Sequence, residues 1–390
     1  MNSRPKTKNQ KPQIMVVAGE SSGDQHAARL VAAIQEQLPE AGFYGIGGDY
    51  LARQGVKIAC PAQDLAVVGL WEVAEKLPAV GKALADLWRY LKETRPQLAI
   101  LVDYPDFNFW VARFARHFGV PVLYYISPQV WAWRRYRVHT IARLVDRMVV
   151  IFPFEEEFYQ EHGVAVTYVG HPLFETMPEL PPRPQLRRQL GLVDQDLAIA
   201  LLPGSRASEI ERLLPIMLAG AEIVQQQVRR CRFLLPQAAT APPELIADLT
   251  SGRRLPLQIL QGQTSEVLAA ADLAVVTSGT ATLEAALGGT PMVIVYRLAP
   301  LSYQVGKRLI RVNHIGMVNL LAKEGLFPEL IQDRLTPAAL AAEIQNLLTN
   351  PQLLGRIRSG LKRVIHSLQG IGASRRAAQV ALELLGAAAR

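Results

Sequence analysis

Two acidic residues follow short apolar segments in positions typical of catalytic groups. Glu20 comes directly after a glycine that ends the apolar segment 14–18, and Asp103 ends the apolar segment 98–102. If both segments are strands of a doubly wound sheet, both carboxylates lie at the sheet edge where ligands gather. Pro105 stiffens the turn after Asp103, and a carboxylate held in this way suits a general base.

Each acidic motif also has a purely structural interpretation. Glu20 and Asp24 flank the glycine turn that precedes a helix predicted from about residue 25, and either carboxylate can cap that helix. Asp106 is placed in the same way before a helix beginning at Phe107. Between Asp103 and Asp106, we favour Asp103 as the catalytic group.

Residues 272–284 predict a short strand, a hydroxyl-rich turn and a helix in immediate succession. Gly279 lets a ligand oxygen approach the backbone, and the free N–H groups between Ser278 and Thr280 favour an anion. Glu284 lies about one turn into the helix, where it can accept hydrogen bonds from a sugar diol. The segment therefore predicts a seat for a nucleotide diphosphate and its ribose. The alternative is that Ser278 and Thr280 cap the helix and Glu284 completes a capping-box pair.

A second anion-binding turn is predicted where a strand ends at Leu202. Pro203, Gly204, Ser205 and Arg206 follow it and lead into a helix. We expect the Arg206 guanidinium to point into a cleft between domains, where it can neutralise a departing diphosphate.

Two tryptophans and two arginines follow the strand predicted at 120–125. They are Trp131, Trp133, Arg134 and Arg135. Aromatic rings and guanidinium groups together suit a cleft for an anionic, partly apolar substrate. The same residues can equally form packing beneath long charged side chains, and the sequence leaves both interpretations open.

The segment from residue 65 to 92 combines apolar faces with bordering lysines and arginines. Helices of this composition rest in a membrane interface, and such apolar stripes also bind acyl chains. A helix that faces the protein core has the same stripe and is the commoner cause. The candidate membrane or acyl-chain residues are Val67, Val68, Leu70, Trp71, Val73 and Leu77.

Two α/β domains are needed to position these groups. At 390 residues the chain exceeds what one core usually spans, and strands alternate with helices in both halves, which predicts two doubly wound parallel sheets. Prolines between residues 172 and 184 mark a stiff connection. We expect a disordered basic tail at 1–13, domains at 14–171 and 185–350, and terminal helices at 351–390 that cross back to the first domain or to a partner chain.

Composition excludes several classes of protein. The net charge of +8 suits anionic substrates or an anionic membrane surface, but dense Lys/Arg blocks with interleaved aromatics are absent, which argues against nucleic-acid binding. Cys60 and Cys231 have no metal-type spacing, so we expect reduced thiols in the cytoplasm and no metal site. Neither a signal peptide nor an apolar run long enough to span a membrane is recognisable.

Eight ordered motifs between about residue 14 and residue 345 resemble those of the lipid-A-disaccharide synthase family. They are Ala18–Asp24, Asp103–Asn108, Ser127–Trp133, Phe152–Glu155, Val169–Pro172, Leu202–Arg206, Ser278–Glu284 and Asn319. The resemblance implies an inverting, metal-independent glycosyltransferase of the GT-B type, with two Rossmann-like domains facing across a cleft and no cofactor. The implied donor is UDP-2,3-diacylglucosamine and the implied acceptor is lipid X, 2,3-diacylglucosamine 1-phosphate. The products would be the β-1,6-linked disaccharide and UDP.

The resemblance also implies where the functional residues and partners lie. The family's functional positions fall on Glu20, Asp103, Arg206 and Asn319, all present here. Its membrane segment corresponds to the stripe from Val67 to Leu77, which has fewer large aliphatic residues and arginines than the family pattern. We therefore expect a peripheral protein on the inner face of the cytoplasmic membrane. A homodimer is one possible oligomeric state. The expected donor-binding residues are Gly204, Ser205, Arg206, Ser278, Gly279, Thr280, Glu284 and Asn319.

Two other functions fit parts of the pattern. A UDP-sugar epimerase shares the architecture and a similar donor seat, but does not need an acyl-binding stripe. A non-catalytic lipid-binding membrane protein would keep the stripe and would not need Glu20, Asp103 and Arg206.

Overall fold

The computed structural model describes residues 11–65, 70–238, 240–299, 303–304, 313–368 and 370–389. The chain divides into two compact units. The first contains Met1–Glu175 together with Leu368–Arg390, and the second contains Thr176–Ser367. Each unit is built around its own parallel sheet.

The described residues of the first unit form a seven-stranded sheet in the order β3-β2-β1-β4-β5-β6-β7. The two central strands, β1 and β4, are apolar and almost entirely buried because helices cover both faces of the sheet. The strands are β1 (Gln13–Ala18), β2 (Gly42–Gly47), β3 (Lys57–Pro61), β4 (Leu98–Val102), β5 (Val122–Tyr125), β6 (Arg147–Val150) and β7 (Val166–Tyr168).

The helices of the first unit include the last helix of the chain. This helix, α16 (Ala373–Ala389), packs on α1 and contacts β4, β5 and β6. The other helices are α1 (Ser21–Gln37), α2 (Asp49–Arg53), α3 (Ala62–Leu65), α4 (Leu70–Thr94), α5 (Pro105–His117), α6 (Val138–Leu144) and α7 (Pro153–Glu161).

The second unit repeats the same winding. Its described residues form a six-stranded parallel sheet in the order β10-β9-β8-β11-β12-β13, and its core lies between the sheet and the covering helices. The strands are β8 (Leu197–Leu202), β9 (Cys231–Gln237), β10 (Leu257–Gln261), β11 (Leu273–Thr277), β12 (Met292–Tyr296) and β13 (Glu329–Ile331). The helices are α8 (Arg183–Gln189), α9 (Ala207–Gln227), α10 (Pro243–Thr250), α11 (Thr264–Ala270), α12 (Ala281–Leu287), α13 (Met317–Ala322), α14 (Pro337–Thr349) and α15 (Pro351–Ser367).

In both sheets the chain starts near the middle, winds to one edge and then returns to build the other half. This order creates a topological switch point next to the first strand of each unit, between β1 and β4 and between β8 and β11. Ligands of doubly wound sheets bind at the carboxyl ends of strands beside such a point. The predicted fold class, two doubly wound parallel-sheet domains, is confirmed.

The first unit begins earlier than the sequence pattern indicates. Residue 13 was expected in a disordered tail, but Gln13 is the first residue of β1, and its N–H donates to Gln97 Oε1 at 2.6 Å. Residues 1–10 of that tail lie outside the described residues. Helix α1 also starts at Ser21 instead of about residue 25, so Asp24 lies inside its first turn.

Candidate active site

Asp103 occupies a tight turn between β4 and α5. Asp103 and Tyr104 both have positive φ angles, 45° and 49°, which are uncommon for residues other than glycine. Hydrogen bonds to the Asp103 carbonyl oxygen hold this backbone in place: Asn108 Nδ2 donates at 2.6 Å and the Tyr124 hydroxyl at 2.6 Å. The side chains of Asn108 and Tyr124 are fully buried. The turn is therefore a rigid support for the Asp103 carboxylate.

Gly19 brings the end of β1 against this turn. A Cβ atom on Gly19 would lie 2.2 Å from Cδ1 of Tyr104, so the Tyr104 ring rests directly on the glycine backbone. Glu20 follows at once and caps no helix through its side chain. Burial and, to a smaller extent, the nearby Glu20 carboxylate together raise the pKa of Asp103 to about 6, against the lowering effect of a hydrogen bond from the Tyr104 backbone. The structure thus brings Glu20 and Asp103 together in one electrostatic site.

Asp24, the second acid of this glycine turn, has a structural role. Its carboxylate is buried and accepts the N–H groups of Gly48, Tyr50 and Leu51, at 2.7, 3.0 and 3.3 Å. It therefore caps the amino terminus of α2, not that of α1. The donor N–H groups come from a segment that lies 24 to 27 residues away in the chain, which is why local sequence does not reveal the cap.

The segment after β5 that contains Trp131 and Trp133 has a buried part and an exposed part. Trp131 is buried and its Nε1 donates to Glu155 Oε1 at 3.0 Å. Glu155 Oε2 accepts the N–H of Phe152 at 3.2 Å, and burial raises the pKa of Glu155 to about 8. Trp133 is 38% exposed, with the Arg134 guanidinium carbon 4.3 Å from its ring centroid. The sequence pattern did not indicate that Glu155 holds the Trp131 side chain in place.

In the turn after β11, the Ser278 N–H donates to the Val295 carbonyl at 3.0 Å, whereas the N–H groups of Gly279 and Thr280 have no partner among the described residues. The Ser278 hydroxyl donates to the Ile315 carbonyl at 2.8 Å, and Thr280 makes no side-chain capping bond. The capping interpretation of Ser278 and Thr280 is therefore wrong. Gly279 and Thr280 are exposed, and a Cβ atom on Gly279 would meet nothing within 4 Å. Glu284 is partly buried, which raises the pKa of its carboxyl group.

The turn after β8 exposes its functional candidates. Gly204 has a φ of 110°, and a Cβ atom there would lie 2.3 Å from Glu209 Oε2, so this position requires glycine. Ser205 is exposed. The Arg206 side chain is 72% exposed and lies 3.3 Å from Glu209 Oε1. An exposed pair of this kind contributes little to stability, which leaves the guanidinium available to a ligand.

Asn319 is placed differently from the other candidates. It lies in α13 and is fully buried. Its Nδ2 donates to the Phe327 carbonyl at 2.9 Å and to Glu329 Oε1 at 2.8 Å, and its Oδ1 accepts the Phe327 N–H at 2.9 Å. Glu329 also accepts the N–H groups of Ile315 and Gly316, at 3.0 and 3.1 Å. The Asn319 amide is therefore fully engaged in hydrogen bonds within the protein.

The expected membrane stripe is only partly within the described structure. Val67 and Val68 lie outside the described residues, and Leu70, Trp71 and Val73 lie in α4 without described side chains. Leu77 is 59% exposed. Further along α4, Leu87 and Leu91 are fully buried and face the core.

Two further observations concern metals and membranes. In the described ranges, His, Cys, Asp and Glu side chains form no group of three or more that is arranged to hold a metal ion. None of the helices in these ranges has the length and apolar composition that a bilayer crossing needs.

Solved structures share the fold at low sequence identity. A UDP-GlcNAc 2-epimerase from Neisseria meningitidis, bound to UDP-GlcNAc, superposes with a TM-score of 0.63 at 12% identity, covering 96% of this chain and 99% of that chain. The calicheamicin glycosyltransferase CalG4 superposes with a TM-score of 0.60 at 16% identity, covering 97% and 99%. These likenesses show the two-domain architecture alone.

Sequence relationships are much closer. The family model for lipid-A-disaccharide synthetase matches residues 14–384. The lipid-A-disaccharide synthase of Syntrophus aciditrophicus is 46% identical over 373 residues, 95% of this chain and 97% of that protein. The enzyme of the same name from Geobacter sulfurreducens is 44% identical over 380 residues, 97% of this chain and 99% of that protein. The chain therefore belongs to the lipid-A-disaccharide synthase family of glycosyltransferases.

Proposed function

We propose that this protein transfers diacylglucosamine from UDP-2,3-diacylglucosamine to lipid X, giving the β-1,6-linked lipid A disaccharide and UDP. The observation that carries the proposal is the Asp103 carboxyl group. It lies at the carboxyl end of a central strand on a braced turn, and its pKa is raised to about 6. Such a group is ionised near neutral pH and still basic enough to accept a proton.

Asp103 would act as general base in a single displacement. It takes the proton of the acceptor hydroxyl as the hydroxyl oxygen forms a bond to the anomeric carbon of the donor. The bond from that carbon to the diphosphate oxygen breaks, and its electron pair leaves with UDP. Attack opposite the leaving group inverts the anomeric centre, and no covalent enzyme intermediate is needed.

Glu20 would support this step in one of two ways. It is exposed and close enough to Asp103 to raise the pKa of that carboxyl group. We propose that it positions the acceptor by accepting a hydrogen bond from a sugar hydroxyl. The alternative is that Glu20 is itself the general base and that the Asp103 carboxylate influences Glu20 through its charge.

The second unit would bind the donor. Arg206 and the exposed backbone N–H groups of Gly279 and Thr280 are suited to the charge of the diphosphate as it leaves. Gly204 and Ser205 present the turn that carries Arg206, and Ser278 holds the other turn through Ile315. The half-buried Glu284 carboxylate would accept hydrogen bonds from the ribose diol.

The first unit would meet the lipid substrates at the inner face of the cytoplasmic membrane. The exposed Leu77 and the apolar residues that precede it in sequence support this placement.

Product analysis tests the proposed function directly. Purified protein is incubated with UDP-2,3-diacylglucosamine and lipid X, and the products are read by mass and by release of UDP. We expect the disaccharide 1-phosphate and UDP in equal amounts. An epimerised donor sugar without disaccharide would instead support the epimerase, and absence of any turnover would support a lipid-binding protein.

A further inference from the structure

An exposed aromatic and cationic surface lies beside the Asp103 turn. We call it the arginine surface and define it as Trp133, Arg134, Arg137 and Asp106. Arg137 Nη2 lies 2.6 Å from Asp106 Oδ1, and Arg134 Nη1 lies 3.9 Å from the same oxygen. The side chains of Arg134 and Arg137 are 36% and 18% exposed, and Asp106 is 74% exposed.

Packing explains only part of the arginine surface: the Arg137 guanidinium lies over the buried Phe109 ring, 5.6 Å from its centroid. Neighbouring residues also have packing roles: Trp131 is buried, and Arg135 donates to the Trp131 carbonyl at 3.1 Å with its guanidinium above the Phe158 ring. Trp133 turns outward instead, and its ring carries the Arg134 guanidinium on one face. The Arg134 guanidinium carbon lies 4.3 Å from the ring centroid, and the Arg134 side chain remains 36% exposed, so that its N–H donors can reach a ligand.

Charge indicates the kind of ligand. Within the arginine surface, two guanidinium groups share the single carboxylate of Asp106, so that these four residues carry one positive charge in excess. Arginine presents paired N–H donors that match the oxygens of a phosphate group. A phosphate monoester carries more charge than one carboxylate and can engage both guanidinium groups together.

Position relates the arginine surface to the reaction. Asp106 is three residues from Asp103, a stretch of chain that spans at most about 10 Å. Two backbone positions near Asp106 have positive φ angles, 49° at Tyr104 and 56° at Arg134. Strained residues of this type concentrate at functional sites. The arginine surface and Asp103 are therefore close neighbours within the first unit.

We propose that Arg134 and Arg137 bind the phosphate group of the acceptor sugar, and that Trp133 supplies the flat face beside it. This assignment rests on the proposed function, because it places the reacting hydroxyl of the same sugar at Asp103. Asp106 keeps both guanidinium groups ordered when no phosphate is bound. The arginine surface thereby selects a phosphorylated acceptor over its unphosphorylated counterpart.

The test compares two short-chain acceptors, 2,3-diacylglucosamine 1-phosphate and the same sugar without phosphate. Binding of each is measured by calorimetry, and KM and kcat are measured in the transfer assay. For Arg134→Met and Arg137→Met we expect affinity for the phosphorylated acceptor to fall by about 10- to 100-fold, the range for one charged hydrogen-bonding group. Affinity for the unphosphorylated acceptor should stay within twofold of the parent protein.

A matched control removes one positive charge nearby. Arg143 is exposed on α6 and donates to the His139 carbonyl of its own helix at 3.2 Å, so Arg143→Met should bind both acceptors as the parent does. Arg134→Lys keeps the charge but loses the stacked, two-pronged geometry, and we expect an intermediate loss. Circular dichroism of each variant tests whether it is folded.

Three results would overturn the assignment. One is an equal loss of affinity for both acceptors in the arginine variants. Another is unchanged affinity for the phosphorylated acceptor. The third is a loss of flotation with phosphatidylglycerol vesicles while the preference for phosphorylated acceptor persists, which would assign the arginine surface to lipid headgroups. If the parent protein makes no disaccharide, the proposed function fails, but the calorimetric comparison still decides whether this surface binds the sugar phosphate.

Discussion

Asn319 Nδ2 lies 2.8 Å from Glu329 Oε1, and the same carboxylate accepts the N–H groups of Ile315 and Gly316. The Ile315 carbonyl in turn accepts the hydroxyl of Ser278 at 2.8 Å. A buried amide is thus connected, through one carboxylate and one backbone segment, to the turn proposed to hold the diphosphate. Asn319 would support donor binding from inside the protein.

Replacing Asn319 with alanine should therefore affect stability and binding together. Three hydrogen bonds are lost, and buried polar groups of Phe327 are left without a partner, so we expect the free energy of unfolding to fall by about 1–3 kcal/mol. UDP affinity should fall as the 315–316 segment loosens. Denaturant titration and calorimetry with UDP measure the two effects.

The control for this prediction is Asn346→Ala, at an exposed position of α14, which should change neither quantity. If Asn319→Ala weakened UDP binding with no change in stability, a direct contact of Asn319 with the nucleotide would be the better explanation.

Asp103→Asn should separate chemistry from binding. The amide keeps the size of the side chain but cannot accept the acceptor proton, and a general base contributes about 10²- to 10⁴-fold to the rate. We expect kcat to fall by this factor while the Kd for UDP stays the same. Asp248→Asn, at an exposed position of α10, serves as the control. Turnover at the parent rate would remove Asp103 from the role of base.

Glu20→Gln should move the pH dependence of the reaction. The Glu20 carboxylate helps to hold the pKa of Asp103 near 6, so its neutralisation lowers that pKa. The acidic limb of the profile of kcat/KM against pH should shift to lower pH, because Asp103 then loses its proton earlier. A shift in the opposite direction, or disappearance of the limb, would favour Glu20 itself as the base.

Arg206→Ala should weaken both UDP affinity and turnover without a loss of stability. The guanidinium is exposed and pairs with Glu209, and exposed pairs contribute about 0–1 kcal/mol to folding. Calorimetry with UDP and initial rates measure the effect, and Arg188→Ala, an exposed arginine of α8, is the control. A selective loss of acceptor binding would contradict the placement of Arg206 in the donor site.

Glu155→Gln should change how stability depends on pH. The ordinary pKa of this carboxyl group is 4.5, and burial raises it to about 8 in the folded protein. Between these pH values the unfolded chain ionises while the folded protein keeps the proton, so the free energy of unfolding falls as pH rises and levels off above about 8.

Glutamine cannot ionise, so the variant should lose this slope. Its single acceptor oxygen cannot serve both Trp131 Nε1 and the Phe152 N–H, and we expect a loss of about 1–3 kcal/mol at acidic pH. Thermal unfolding across pH 5 to 9 checks both effects, with Glu161→Gln, exposed at the end of α7, as the control. An unchanged slope would show that the pKa of Glu155 is not raised.

The sequence alone predicted most of the strands and the strand ends that Glu20 and Asp103 follow. Strands such as β8 and β11 are short apolar runs bounded by turn residues, and this pattern is local, so the chain itself reveals them. Because ligands of doubly wound sheets gather at the carboxyl ends of the strands, the same pattern predicted that Glu20, Asp103 and Arg206 lie just after such strand ends.

Tertiary structure decided the roles that depend on partners far away in the chain. Asp24 caps α2, Trp131 is buried on Glu155 while Trp133 is exposed, and Asn319 bonds to Phe327 and Glu329. The docking of α16 onto α1 brings together residues more than 300 positions apart. Burial and hydrogen-bond satisfaction depend on which elements pack together, and no pattern within a single segment specifies that packing.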